Sequence, residues 1–324
     1  MTERIGIFGA GALGTLLATR LAAAGHEMHV VARSPARREA LQRESRALRL
    51  HEHAAELPPS RFVFLCVKAY DTEAAALALA GAGIGADRES PPTAICSLQN
   101  GLGNMETLES RLPRSPLVAG ATRLGAYLDE SGALHASTQG VTQLAPWGAT
   151  DPRWADDAAA ILKCAGLEAE SVRNAREILW KKLVLNAAVN PLPAIADRPN
   201  GVLLETPSLW RVAEAVADEA TRVGIRLGCL PADFDPRPLL ARLVGETKLN
   251  RGSMTEDLAR GRPTEADAIL GSIARAAGEI GETVPTLEGL WVLIREAEAT
   301  RGRGGRVSRP APAPADPESS KARG

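Results

Sequence analysis

The sequence is short of cysteine, of long hydrophobic runs and of net charge, and each shortage narrows the reading. Its four cysteines, Cys66, Cys96, Cys164 and Cys229, are widely spaced and form no Cys-x-x-Cys pair, which fits a reduced chain. Cys66 and Cys96 fall inside apolar runs, where a free thiol behaves as a small hydrophobe. No stretch reaches the ~18 consecutive apolar residues of a membrane span. The opening MTERIGIFGAGALG is broken by glycines and lacks the basic and apolar regions of a secretory signal. A formal net charge of −1 gives no global attraction to nucleic acid or to an anionic membrane. The expectation is a cytoplasmic protein with no nucleic-acid or membrane partner. His51 and His53 form an His-x-His with no further ligands nearby, so they are assigned to a surface loop and no metal site is expected.

What is present is a chain of 324 residues, 45% of them hydrophobic, enough for more than one core. Residues 4–8 (RIGIF) form an apolar run ending in glycine. Residues 13–24 then show helical spacing, with Leu13, Leu16, Leu17 and Leu21 on one side, and residues 27–33 (EMHVVAR) form a second strand. Strand, glycine turn, helix and strand make a βαβ unit. The runs RFVFLCVK (61–68) and TAICSL (93–98) are continuously apolar, as suits parallel strands buried on both faces. PLVAGAT (116–122) is a further strand candidate. GALHAST and GVTQLAPWG, at 132–138 and 140–148, are expected to pair as an antiparallel hairpin at the sheet edge.

From about residue 174 the texture is helical, with predicted helices over 174–190, 205–227, 236–250, 253–260, 265–280 and 286–299. The fold class is therefore α/β: a Rossmann-type, mostly parallel sheet domain over 1–172, followed by an all-helical domain over 173–300. Residues 301–324 carry six basic and two acidic side chains and alternate proline with alanine, and they are expected to be a disordered tail.

Gly9-Ala10-Gly11-Ala12-Leu13-Gly14 matches Gly-x-Gly-x-x-Gly between the first strand and the first helix. The first glycine permits the turn, the second lets backbone approach a pyrophosphate, and the third lets helix pack on sheet. The helix N-terminus adds amide donors. The second strand ends in Arg33-Ser34, with Arg37 and Arg38 close behind, where an NAD-binding chain usually places a carboxylate. Guanidinium suits a ribose 2′-phosphate, so NADP is the expected cofactor. Lys68 and Asn100 follow predicted buried strands at their C-terminal ends, the edge where open α/β sheets bind ligands.

The second half offers WKKLVLNAAVNPL at 180–192. Lys182, Asn186 and Asn190 are spaced i, i+4, i+8, on one face of a helix otherwise built of Leu, Val and Ala. Two readings fit. A bound polar substrate could satisfy these groups, which are costly to bury unpaired, or the face could meet solvent with its asparagines tied to backbone. Ser253-x-x-Glu256 has the form of a capping box. Glu265 follows Pro263-Thr264 at a helix start, where the dipole favours a carboxylate.

Taken together, GAGALG, VKAYDT (67–72), SLQNGLG (97–103), WKKLVLNAAVNPLPAI (180–195), Asn200, Ser253-Met254 and PTEAD (263–267) resemble the ketopantoate reductase (2-dehydropantoate 2-reductase) family, over nearly the whole chain to about residue 300. The resemblance implies NADPH-dependent reduction of ketopantoate to pantoate on the route to pantothenate and coenzyme A. It implies Lys182 as proton donor and Glu265 near the nicotinamide ribose or substrate hydroxyl. Asn186, Asn190, Asn200 and Ser253 would be substrate contacts, and Lys68 and Asn100 cofactor contacts. A homodimer is implied by the same analogy. Arg123 and Leu124 depart from the Thr-His pair of the family pattern. Two rivals remain open at this stage: a dehydrogenase of another hydroxy acid or a sugar phosphate on the same fold, and a non-catalytic NADP-binding sensor.

Overall fold

The computed structural model describes residues 2–85, 92–129, 131–137 and 140–303. Strands β1 (Arg4–Phe8), β2 (Glu27–Val31), β3 (Arg49–His51), β4 (Phe62–Leu65), β5 (Ala94–Ser97) and β6 (Leu117–Thr122) are all parallel. Helices α1 (Ala12–Ala23), α2 (Pro35–Glu44), α3 (Thr72–Gly81) and α4 (Asn104–Arg111) lie between them in sequence. A ribbon of β7 (Gly125–Leu128) and β8 (Leu134–Ser137) follows. β9 (Thr142–Pro146), α5 (Arg153–Cys164) and β10 (Ala169–Ser171) then complete the sheet, in the order β10-β9-β6-β5-β4-β1-β2-β3. β9 runs antiparallel to β6 and parallel to β10.

The continuous apolar runs are explained by burial on both faces. In β4, Phe62 and Phe64 enter one core cluster with Leu17 and Leu21 of α1, while Val63 and Leu65 enter another with Leu79 of α3 and Leu108 of α4. A strand sandwiched this way needs apolar residues at successive positions rather than alternate ones.

The rest of the chain is helical: α6 (Ala175–Val189), α7 (Pro191–Ala196), α8 (Val202–Glu205), α9 (Pro207–Arg226), α10 (Arg237–Glu246) and α11 (Ser253–Ala259), then a π-helical turn (Asp267–Gly271), α12 (Ser272–Glu279) and α13 (Pro285–Arg303). Asn174 caps α6 by accepting a hydrogen bond from the Glu177 amide at 3.1 Å. Leu183, Val184 and Ala187 of α6 pack in one cluster with Val216 and Ala220 of α9 and with Leu287 and Ile294 of α13.

Several expectations need correction. Segments 132–138 and 140–148 do not pair with each other. The buried Leu144 draws β9 into the main sheet beside β6, and β8 instead pairs with β7 in a separate ribbon against α1. Helices α7 and α8 fall between the predicted helices 174–190 and 205–227; Pro191 and Pro193 both sit in the first turn of α7, where a missing N–H costs nothing. Ser253 forms no capping box, because Gly252 is the N-cap of α11 and Ser253 is its first helical residue. His51 lies on β3 rather than in a loop, with its ring stacked on that of His29. Residues 301–303 continue α13, and the remainder of the expected tail, 304–324, lies outside the described residues.

Candidate active site

The three glycines of the β1–α1 turn face different constraints. Gly9 has φ +107°, and a Cβ there would lie 2.7 Å from the Val67 nitrogen; at Gly14 it would lie 2.0 Å from the Gly9 carbonyl oxygen. A Cβ at Gly11 meets nothing within 4 Å. The first and third glycines are therefore required by packing, while the second leaves the approach to the helix clear. No side chain caps α1 and no acidic residue stands in its first turn, so its N-terminal amides are free of competing charge. Ala10, Ala12 and Leu13 complete this loop and the first turn of the helix.

The three arginines after β2 divide in role. Arg33 is exposed (74% of its side chain) and, among the described residues, its guanidinium approaches only the carboxylate of Asp71, at 3.5 Å. Arg37 turns under the glycine loop. Its guanidinium donates to the Ala10 carbonyl at 2.7 Å, to the Gly132 carbonyl at 3.0 Å and to the Thr15 hydroxyl. Arg38 is held by the Ala32 carbonyl and Glu52. Among them Arg33 is the guanidinium available to a ligand, and Arg37 splints the loop.

Glu265 gathers the ends of two parallel strands. Its side chain is 5% exposed and stands just before the π-helical turn. It accepts hydrogen bonds from the Ala69 amide at 3.1 Å and from the Asn100 side-chain amide at 2.9 Å, with the Lys68 ammonium at 3.5 Å. Lys68 also donates to Asp257 at 2.6 Å, and Arg262 holds the other oxygen of that carboxylate at 2.7 Å. Burial works against the Lys68 charge, but Glu265 and Asp257 outweigh it and raise the ammonium above its ordinary range. A second clasp lies alongside. Gly101, at φ +83°, passes so close to the Ala268 carbonyl that a Cβ would lie 2.5 Å from its oxygen, and the Leu102 amide donates to that same oxygen at 3.0 Å.

Lys182, Asn186 and Asn190 line one face of α6 and its last turn, half-buried, while Leu183, Val184, Ala187 and Ala188 turn into the core. Burial pushes the Lys182 ammonium down to about 8, and the negative charge of Glu265 limits the fall. Among the described residues Lys182, Asn186, Asn190 and Ser253 make no side-chain hydrogen bond, and Ser253 is exposed at the start of α11. Asn200, 7% exposed, donates to the Thr247 hydroxyl at 3.0 Å, while its carbonyl oxygen is buried with no partner among the described residues. The backbone clamps Asn200 and Gly201 against Asn250 and Lys248, and this sets Asn200 beside Gly252.

The sequence-predicted residues thus fall into linked groups: Lys68, Asn100 and Glu265 in direct contact, Asn190 and Asn200 around Gly252, and Lys182 in the field of Glu265. Sequence reading missed Asp257, which binds Lys68 from 189 positions away. It also missed the splinting role of Arg37. Neither carries a local signal, since the partners that define both roles lie far away in sequence.

A dinucleotide turn on a mostly parallel sheet, facing a helical region that presents a lysine lowered in pKa and a buried carboxylate, defines an NAD(P)-dependent oxidoreductase. Comparison with known proteins gives the family. Residues 5–149 match the ketopantoate reductase PanE/ApbA family model, and residues 174–298 match its C-terminal model. The 2-dehydropantoate 2-reductase of Archaeoglobus fulgidus is 35% identical over 303 residues, covering 92% of this chain and 98% of that protein. The enzyme of the same name from Escherichia coli O157:H7 is 28% identical over 303 residues, covering 91% and 95%. The solved PanE/ApbA family ketopantoate reductase of Ralstonia eutropha superposes with a TM-score of 0.80 at 28% identity, covering 92% of this chain and 99% of that one. D-mandelate dehydrogenase, solved with NADH and anilino(oxo)acetate, shares the fold with a TM-score of 0.83 at 22% identity, over 92% and 99%. The chain belongs to the ketopantoate reductase family. No helix among the described residues is long and apolar enough to cross a membrane.

Proposed function

We propose that this enzyme reduces ketopantoate to pantoate with NADPH, in the cytoplasm, on the route to pantothenate and coenzyme A. Residues 1–172 serve the cofactor and 173–300 the substrate. The observation that carries the reading is Lys182: a half-buried ammonium with no hydrogen bond among the described residues, lowered to about 8, on the face that holds Asn186 and Asn190.

The dinucleotide site fits the residues present. Gly11 leaves open space before the uncapped N-terminus of α1 for a pyrophosphate. Arg33 is the exposed guanidinium for a 2′-phosphate. Lys68 and Asn100, which follow β4 and β5 and are held by Glu265, would contact the nicotinamide ribose. When bound, NADPH supplies a hydride to the carbonyl carbon of the 2-oxo acid. Lys182 polarises the carbonyl oxygen and delivers its proton there as the alkoxide develops. At neutral pH a group near 8 is mostly protonated, yet releases its proton far more readily than an ordinary lysine. Asn186, Asn190, Asn200 and Ser253 orient the acid, fixing the carbonyl face turned to the cofactor.

A sugar-phosphate substrate would call for a cluster of cations on the substrate side, and Lys182 with its amides suits a monocarboxylate better. The test is NADPH oxidation assayed against ketopantoate and a panel of other 2-oxo acids. Ketopantoate is expected to give the highest kcat/KM. A different acid in that place would reassign the substrate, and no turnover with any acid would favour a cofactor sensor.

A further inference from the structure

Gly252 is a glycine without a backbone reason. Its φ of −66° and ψ of 160° are open to any residue. A Cβ built there would have three nearest neighbours beyond the adjoining residues, and all are side-chain oxygens: Asn200 Oδ1 at 3.6 Å, Asn190 Oδ1 at 3.9 Å and Thr255 Oγ1 at 4.0 Å. Two of them, on Asn200 and Thr255, are buried with no hydrogen-bond partner among the described residues.

The polarity of this corner is fixed. Thr247 donates its hydroxyl hydrogen to the Leu243 carbonyl at 2.7 Å, so it can only accept from Asn200. The Asn200 amide nitrogen must therefore face Thr247, and its oxygen must face Gly252. Thr255 is 1% exposed. Thr15, Thr19 and Thr107 return their hydroxyls to carbonyls four residues back. At the third position of α11, Thr255 would have to reach Arg251, outside the helix, and its hydroxyl stays unbonded.

A fixed acceptor beside a free hydroxyl selects one kind of guest. A carboxylate cannot donate to Asn200, and an ammonium cannot accept from Thr255. A hydroxyl does both. We infer that Thr255 is a specificity-determining residue, which donates to a hydroxyl of the substrate while that hydroxyl donates to Asn200, in space kept open by Gly252. The inference rests on the proposed reduction of ketopantoate, whose distal hydroxyl is the group received.

The test compares ketopantoate with its analogue carrying methyl in place of hydroxymethyl. Wild-type enzyme is expected to favour ketopantoate by more than ~1,000-fold in kcat/KM, beyond the effect of a small change in an apolar pocket. Thr255→Val should lower kcat/KM for ketopantoate about 10-fold and raise or hardly alter it for the analogue, with Tm unchanged or higher. Thr255→Ser should restore the preference. Gly252→Ala, whose methyl meets only ordinary contacts, should fold with an unchanged Tm and raise KM for ketopantoate by at least ~10-fold. Equal effects of Thr255→Val on both acids, or none, would overturn the assignment. So would a wild-type enzyme that reduces both acids alike, with the proposed reaction left standing. Wild-type enzyme that reduces neither would remove the reaction and this role together.

Discussion

Asn100 donates its side-chain amide to Glu265 at 2.9 Å across 165 positions of sequence, joining the end of β5 to the start of the π-helical turn. The same carboxylate accepts the Ala69 amide and faces Lys68. One acidic side chain thereby holds together the loops after β4 and β5 and the helical region that carries Lys182.

Glu265→Gln should expose that dependence. Glutamine keeps the shape, but its NH2 must confront one of the donors that the carboxylate satisfied. An unmet buried donor costs about 1–3 kcal/mol. The expected outcome is a lower Tm and a raised KM for NADPH, checked by thermal unfolding with and without cofactor and by steady-state kinetics. An unchanged Tm and KM would mean the contacts carry little.

Lys182→Met removes an ammonium that burial already disfavours. Loss of a positioned general acid lowers kcat by about 10²–10⁴-fold. Tm at pH 7 should be unchanged or higher, because methionine needs no solvation. A large fall in both would make Lys182 a structural residue instead.

The pH profile follows from the same group. Lys182 must be protonated to donate, and its pKa lies near 8. The kcat/KM for reduction should be flat below that value and fall as pH rises through it. Oxidation of the hydroxy acid needs the neutral amine and should rise over the same interval. A reduction rate level to pH 10 would exclude Lys182 as the titrating acid.

The glycine turn separates folding from binding. Gly14→Ala puts a carbon 2.0 Å from the Gly9 carbonyl oxygen and should destabilise the protein by about 1–3 kcal/mol or more. Gly11→Ala puts its Cβ where nothing lies within 4 Å and should change stability by no more than about 1 kcal/mol. Its Kd for NADPH should nonetheless rise steeply. Calorimetry with cofactor titration distinguishes the two variants.

Arg33→Ala and Arg37→Met should differ in the same way. Removing the exposed Arg33 takes away a charge-assisted partner for a 2′-phosphate, worth roughly 10–100-fold in affinity. KM for NADPH should rise by that factor and KM for NADH should not. Arg37→Met instead leaves the Ala10 and Gly132 carbonyls without their donor, so it should lower Tm. An equal loss of NADH and NADPH binding in Arg33→Ala would refute the 2′-phosphate role.

Much of the fold was legible because its signals are local. The Gly-x-Gly-x-x-Gly turn, the unbroken apolar run of β4 and the i, i+4, i+8 spacing on α6 each report a nearest-neighbour constraint. The errors arose where distant partners decide. Segment 142–146 reads as half of a hairpin until β6 offers Leu144 a place in the core. Ser253 reads as a cap until Gly252 takes that position. In the site, the polarity of Asn200 depends on Thr247, and that on Leu243, a chain of donors invisible to residue spacing.

The bond from the Leu102 amide to the Ala268 carbonyl is made of main chain alone. Any substitution at 268, and any but proline at 102, leaves its donor and acceptor in place. The loop after β5 and the π-helical turn are thus registered by a contact that mutation of side chains can scarcely reach. If the corner around Gly252 receives the substrate as proposed, its side chains can change without loosening the docking of one half on the other, so new substrates would be open to this scaffold at little structural risk.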